Sequence, residues 1–219
     1  MSSEIAIDKL DARPQRVATA EVQLVEQLRA GSQQAYACLL EQYEHPIYNL
    51  VMRLVGNHHD ASDVTQEVFI KVYRGIKGFH GNSNLRTWIY RIALREAANW
   101  HRWWLRRRYN RTVSLDLLDP EDGETRVFEK VLKDKSPNPA ERVMHAELEA
   151  RLQAALQTLP LKYRTAVVLR DVEDFSYDEM ASTLHISIGT VKSRILRGRE
   201  LLRNKLKGVL ERERASGGM

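Results

Sequence analysis

The 219 residues carry 34 Lys and Arg against 29 Asp and Glu, a formal net charge of +5, with an ordinary apolar share of 43%. One cysteine, Cys38, excludes an internal disulfide. No apolar run approaches the roughly 18 residues of a membrane span, and the N-terminus lacks a signal-peptide core, so the expected location is the cytoplasm. Charge is segregated along the chain. Arg91 to Arg111 holds seven Arg and one Glu, and Lys192 to Arg214 holds nine bases and three acids. Between them, Thr112 to Glu141 holds eight acids and four bases. Two cationic blocks around an acidic connector point to two anion-facing surfaces.

Residues 1–19 are polar and aperiodic and read as a flexible tail. From Glu21, Val22, Val25 and Leu28 recur at helical steps. Gly31 stops that helix and Ser32 can cap the next. The second helix runs through Tyr36, Leu39, Leu40 and Tyr43 toward Val55, with Pro46 inside it and expected to kink or split it. Cys38 lies in this apolar run and is expected to be buried. After a turn over 56–60, Asp60 is the expected cap of a third helix. Ala61, Val64, Val68 and Val72 share one face, while Asp63, Gln66, Glu67, Lys71 and Arg74 lie toward the other.

The next helix starts near Asn84 and carries all four tryptophans, Trp88, Trp100, Trp103 and Trp104. Leu85, Trp88, Ile89, Ile92, Ala93, Trp100 and Trp104 form an apolar stripe. Beside it runs a stripe of Arg91, Arg95, Asn99, Arg102 and Arg106. A cationic row edged with aromatic rings suits single-stranded or opened nucleic acid, whose bases stack and whose phosphates pair. A core helix with a solvated charged back explains the same pattern equally well.

Residues 109–137 lose the helical period and read as a linker. Asn138, Pro139 and Glu141 then mark a helix start carrying Val143, Leu148, Leu152, Leu156 and Leu159. Pro160 ends it, and a further helix is expected from Leu161 to about Val172. Ser176 and Glu179 form a capping box for a short helix with Met180 and Leu184 on its apolar side. His185, Ile186 and Ser187 make a tight turn; His tolerates the left-handed backbone such turns use. A long helix follows from about Ile188, capped by Ser187, with Val191, Ile195 and Leu202 inward. It presents Lys192, Arg194, Arg197, Arg199 and Arg203 outward. Short helix, three-residue turn and long basic helix form the helix-turn-helix pattern, whose second helix enters the major groove. The expected fold is all-α: two small helical domains, 20–108 and 138–212, joined by a flexible acidic linker, with a short tail over 213–219.

Three segments together resemble the extracytoplasmic-function sigma factors, two-domain initiation subunits of bacterial RNA polymerase. They are DASDVTQEVFIKVYR at 60–74, FHGNSNLRTWIYRIALREAANW at 79–100, and LPLKYRTAVVLRDVEDFSYDEMASTLHISIGTVKSRILRGRELL at 159–202. The resemblance implies that Asp63, Gln66, Glu67, Ile70, Lys71 and Arg74 face core RNA polymerase. It implies that the loop Asn82, Ser83, Asn84 holds a base flipped from the non-template strand of the minus-ten element. Arg86, Arg91, Arg95, Asn99 and Arg102 would hold the adjoining strand, and Trp88 would be mostly core. Thr190, Lys192, Ser193, Arg194, Arg197 and Arg199 would meet the minus-thirty-five duplex. The linker would either thread toward the polymerase active-site region or serve as a solvated tether. An anti-sigma partner is common in the family, and no residue here identifies one.

No catalytic residues, cofactor or metal site are expected. His58, His59, Asp60 and Asp63 are the nearest to a metal cluster, but adjacent His side chains on a turn point apart and no Cys assists. The glycines at 75, 78 and 81 lack the strand-to-helix setting of a phosphate loop. A helix-turn-helix regulator without polymerase is the alternative; of the response-regulator type, it would carry an α/β receiver that the sequence does not show. A scaffold whose Trp/Arg helix lies on anionic membrane suits the basic blocks but not the helix-turn-helix.

Overall fold

The computed structural model of the chain describes residues 20–81, 83–111 and 139–216. Among these residues every regular element is helical. The first module is α1 (20–29), α2 (Gln33–Val55), α3 (His58–Gly75) and α4 (Leu85–Arg111), with a 3-10 turn at Ile76–Gly78 after α3. The second is α5 (Pro139–Gln157), α6 (Leu161–Val167), α7 (Tyr177–Leu184) and α8 (Ile188–Ser216).

Local chemistry sets the ends of these helices. Gly31 takes φ +81 between α1 and α2, and the Ser32 hydroxyl accepts from the Ala35 amide at 3.3 Å. Pro46 does not split α2, which runs unbroken over 23 residues. Leu39, Tyr43, Ile47, Leu50 and Leu54 stay buried along it. Burial on both sides of the proline outweighs the one backbone bond it cannot make. The steps from Ala35 to Leu39 to Tyr43 leave Cys38 on the flank, and it is exposed rather than buried. α3 begins two residues before its expected cap. Asn57 is the cap, accepting from the Asp60 amide at 3.1 Å, and Asp60 lies in the first turn, where the helix dipole favours an acid. α4 is started by Asn84, which accepts from the Thr87 amide at 2.7 Å, and by Glu21 of α1, which accepts from the Leu85 amide at 2.6 Å. It continues to Arg111, past the expected boundary at 108.

In the second module α5 starts at Pro139 as expected, while the expected cap Asn138 lies outside the described residues. Leu148 is exposed, contrary to its place in the expected stripe, whereas Leu156 and Leu159 are buried. α6 does not continue to Val172 as an α-helix. It widens into a π turn over Val168–Val172, and Asp174 at φ 55 re-aims the chain toward α7. The Ser176–Glu179 capping box is complete. His185 takes φ 53 and ψ 49, the left-handed turn expected of it. Gly198 lets α8 pass close to α6: a Cβ there would lie 2.6 Å from Val167 Cγ2 and 3.0 Å from the Tyr163 carbonyl oxygen.

The two modules pack on each other. Their buried apolar residues form one continuous cluster, from Leu39 and Ile89 to Leu156, Phe175 and Met180. The last carbonyls of a helix lack intrahelical partners; at the end of α2 the Met52 carbonyl accepts from the Gly56 amide at 2.8 Å, and further donors come from the second module. Gln153 Nε2 donates to the Met52 carbonyl at 2.8 Å, Gln157 Nε2 to that of Arg53 at 3.0 Å, and Arg164 Nη1 to that of Leu54. Gly56 closes α2 at φ +87, and any Cβ there would strike the Gln157 side chain at 2.4 Å.

Candidate nucleic-acid interfaces

Three surfaces carry the residues singled out in the sequence. The first is the outer side of α3. Asp63, Gln66, Ile70 and Arg74 are exposed there and Glu67 is half-buried. Val64, Val68 and Val72 hold the opposite side in the core, which fixes this polar side outward. Lys71 is an exception within the set. Its ammonium lies 2.6 Å from Glu96 of α4 and 3.3 Å from Glu67, and the hydrogen bond to Glu96 foremost raises its pKa. It therefore ties α3 to α4.

The second surface is the basic side of α4. Leu85, Ile89, Ala93 and Ala97 are buried beneath it. Trp88 packs against Phe79 with ring centroids 5.1 Å apart, a largely internal position. Arg95, Arg102 and Arg106 are exposed. Asn99 donates to both Glu96 carboxylate oxygens at 3.4 Å and accepts from Arg102, so the polar stripe is a connected network. Trp100 stacks on Trp104 at 6.2 Å, and the Arg107 guanidinium lies 5.0 Å over the Trp103 ring. Trp104 is exposed rather than part of the buried stripe, because α4 has by then run past the helices that cover its start. Of the loop, Ser83 is half-buried, Asn84 caps α4, and Asn82 lies outside the described residues.

Arg86 and Arg91 belong to the same row, yet both are engaged by the second module. Arg86 Nη2 donates to the Glu173 carbonyl, and its guanidinium sits 4.4 Å from the Phe175 ring centroid and 5.2 Å from that of Tyr90. Tyr90 donates to Glu173 Oε2 at 2.5 Å, and Arg91 Nη2 to the Ser182 carbonyl at 3.3 Å. Burial foremost, then the bond to Glu173, pushes the Tyr90 pKa well above its ordinary value.

The third surface is α7 and α8. Val191 and Ile195 are buried against the module and Met180 locks α7 beside them. This leaves Lys192, Ser193, Arg197 and Arg199 exposed, with Thr190 and Arg194 half-buried at the flanks. Arg197 pairs with Glu200 at 2.6 Å. Arg199 forms two bonds to the Asp171 carboxylate, so a phosphate would have to compete for it. The sequence reading passed over Leu196, which is 73% exposed, one turn from Lys192 and beside Arg197. The spacing of four from Lys192 was the signal; its apolar character hid it.

Among the described residues no group of His, Cys, Asp and Glu is placed to hold a metal ion, and no helix is long and apolar enough to cross a membrane. Residues 39–111 match the family Sigma-70 region 2, and residues 149–202 match Sigma-70, region 4. Over 189 residues the chain is 36% identical to the ECF RNA polymerase sigma-E factor of Escherichia coli K12, covering 86% of this chain and 95% of that relative.

The chain belongs to the extracytoplasmic-function sigma factors of RNA polymerase.

It is likewise 38% identical over 188 residues to the RNA polymerase sigma-H factor of Pseudomonas aeruginosa, covering 86% of this chain and 94% of that protein. Among solved structures it is similar to CnrH in complex with the cytosolic domain of CnrY, with TM-score 0.61 and 21% identity over 86% of this chain and 98% of that one. It is also similar to the sigma factor RpoE from Bartonella quintana, solved with the anti-sigma factor NepR, with TM-score 0.57 and 23% identity over 78% and 96%. At those identities the likeness is one of fold. The helix-turn-helix of this sigma factor thus lies in its region 4, and the α3–α4 surfaces lie in its region 2.

Proposed function

We propose that this sigma factor divides promoter recognition among these three surfaces. The outer side of α3, with Asp63, Gln66, Glu67, Ile70 and Arg74, docks on core RNA polymerase in the cytoplasm. Lys71 supports that surface from beneath through Glu96. α8 enters the major groove of the minus-thirty-five element. Lys192, Ser193 and Arg197 face the base edges, Leu196 adds an apolar contact between them, and Thr190, Arg194 and Arg199 meet the flanking phosphates. The 82–84 loop and the α4 row of Arg86, Arg91, Arg95, Asn99 and Arg102 hold the opened non-template strand of the minus-ten element. Extruding a base from the stack costs a few kcal/mol, which amide and hydroxyl groups at its edge offset. A partner of the anti-sigma kind fits a chain whose structural relatives were solved with such proteins.

The observation that carries this reading is the outer side of α8. Four exposed residues within two turns, Lys192, Ser193, Leu196 and Arg197, stand on a helix held rigid by Val191 and Ile195. The test is runoff transcription with purified bacterial core enzyme over a library of genomic fragments. Specific transcripts that depend on the added chain are expected. Duplex binding without transcripts would instead favour a regulator that works apart from polymerase.

A further inference from the structure

The block from Arg91 to Arg111 holds seven Arg and a single acid, Glu96. In a row assigned to phosphates, a carboxylate by itself works against binding. Glu96 does not reach into solvent. It is 8% exposed, and Lys71 of α3 holds one of its oxygens at 2.6 Å. Both oxygens also accept from Asn99 Nδ2, at 3.4 Å each. Asn99 Oδ1 in turn accepts from Arg102 Nη2. The three side chains stand at steps of three on one side of α4 and form a ladder. From this ladder, and resting on the assignment of α4 to the opened strand, we propose that Glu96 is a positioning residue. It fixes the Asn99 amide so that the carbonyl oxygen, and not the NH2 group, is offered to a base of the non-template strand.

A side-chain amide has a donor end and an acceptor end of nearly equal size, and a free Asn presents either. Asn99 lacks that freedom. An ionised carboxylate accepts and cannot donate; a guanidinium donates and cannot accept. Between Glu96 and Arg102, one orientation of the amide makes every bond and the other makes none. A turned amide would set Oδ1 against the carboxylate and the NH2 group against the guanidinium. Lys71 keeps the carboxylate in place, and is itself steadied by Glu67 at 3.3 Å. Glu96 thus acts on the strand through Asn99 without touching it. Asn99 is half-buried and Arg102 is exposed. The strand therefore meets a guanidinium and a carbonyl oxygen side by side, the first suited to a phosphate and the second to an amino group or ring N–H of a base. An amide already held in place also loses less freedom on binding. A tie between α3 and α4 needs only Lys71 and Glu96; the bonds to Asn99 go beyond it.

The test uses holoenzyme assembled from the full chain and bacterial core polymerase, on a promoter recovered from runoff transcription. Each base of the minus-ten element is replaced in turn, and runoff rates give a base-preference profile. A structural defect lowers all rates alike; a positioning defect changes the preference at one position. Asn99→Ala is expected to lose about fivefold of preference at one position, the worth of one hydrogen bond. Glu96→Gln has the same shape and still accepts from Lys71, but its amide can donate or accept. It should flatten the same position by at least about threefold and spare the others. Asn99→Asp sets carboxylate against carboxylate and should lose that preference too, which serves if Glu96→Gln unfolds; thermal unfolding of each chain checks this. Combining Glu96→Gln with Asn99→Asp exchanges donor and acceptor at unchanged net charge, and should restore the preference. A wild-type profile in Glu96→Gln overturns the proposal, as does a uniform loss at every position or a combined variant no better than either single one. If Asn99→Ala keeps the full profile, Asn99 reads no base and the positioning falls while α4 keeps its assignment. If Arg95, Asn99 and Arg102 changed together to Ala leave transcription unaltered, the assignment of α4 itself falls.

Discussion

In the proposed docking of α8, Leu196 supplies sequence discrimination that charge cannot. An apolar residue 73% exposed on a helix proposed to enter DNA gains from burial only if the groove offers an apolar partner, and in the major groove that partner is the thymine methyl. Replacing thymine by deoxyuridine at the facing position of the minus-thirty-five duplex is expected to weaken wild-type binding by about fivefold, on the order of 1 kcal/mol. The same replacement should leave the Leu196→Ala variant nearly unaffected. Equal losses in both proteins would show that the methyl and Leu196 do not meet. Lys192 and Arg197 should behave differently, since their contacts weaken with added salt as counterions are released.

At the scale of elements, α3 and α8 each pair a buried stripe with an exposed side. Asp63→Lys reverses charge on the exposed side of α3 without touching Val64 or Val68. It is expected to abolish capture by core polymerase in a pull-down while leaving thermal stability unchanged; normal capture would remove α3 from that interface. Gly198 tests the opposite property of α8. Because a Cβ would fall 2.6 Å from Val167 and 3.0 Å from a backbone oxygen, Gly198→Ala must push α8 away from α6. A loss of about 1–3 kcal/mol is expected in denaturant unfolding, and minus-thirty-five binding should fall with it; an unshifted midpoint would mean the helices part freely. Both α8 and its capping-box neighbour α7 were legible in the sequence because local rules write them: Ser176, Glu179, Ser187 and the left-handed His185 act within four residues of themselves. The π turn at Val168–Val172 was not, since an apolar run carries no mark of the extra residue per turn.

For the whole molecule, the packing of the two modules on each other, closed rather than parted, should depend on pH. Burial raises the Glu173 carboxyl above its ordinary value of 4.5, with Asp174 pushing the same way and Tyr90, Arg86 and Arg53 opposing. A carboxyl raised in the closed form takes up its proton more readily there than in the parted form. The added stability of closure is therefore fully present below the ordinary value and is lost as pH rises through the raised one. Scattering of the full chain is expected to show a larger compact fraction at about pH 5 than at about pH 7.5, and Glu173→Gln should flatten that difference. An unchanged fraction in wild type would clear Glu173 of any part in the balance.

The linear order of residues was enough for the helical class, the caps at Ser32 and Ser176, the outward side of α3 and the helix-turn-helix. Each depends on neighbours a few positions apart, whose geometry is set by the helix period itself. It misplaced Cys38, Leu148 and Trp104, because burial depends on which other helix happens to lie over a side chain. It left open whether the two modules lie apart or together. Only the folded chain brings Gln153, Gln157 and Arg164 onto the open end of α2, about a hundred residues earlier, and sets Glu173 on Tyr90. Unpaired carbonyls at a helix end must find donors somewhere; which donors they find is decided in three dimensions.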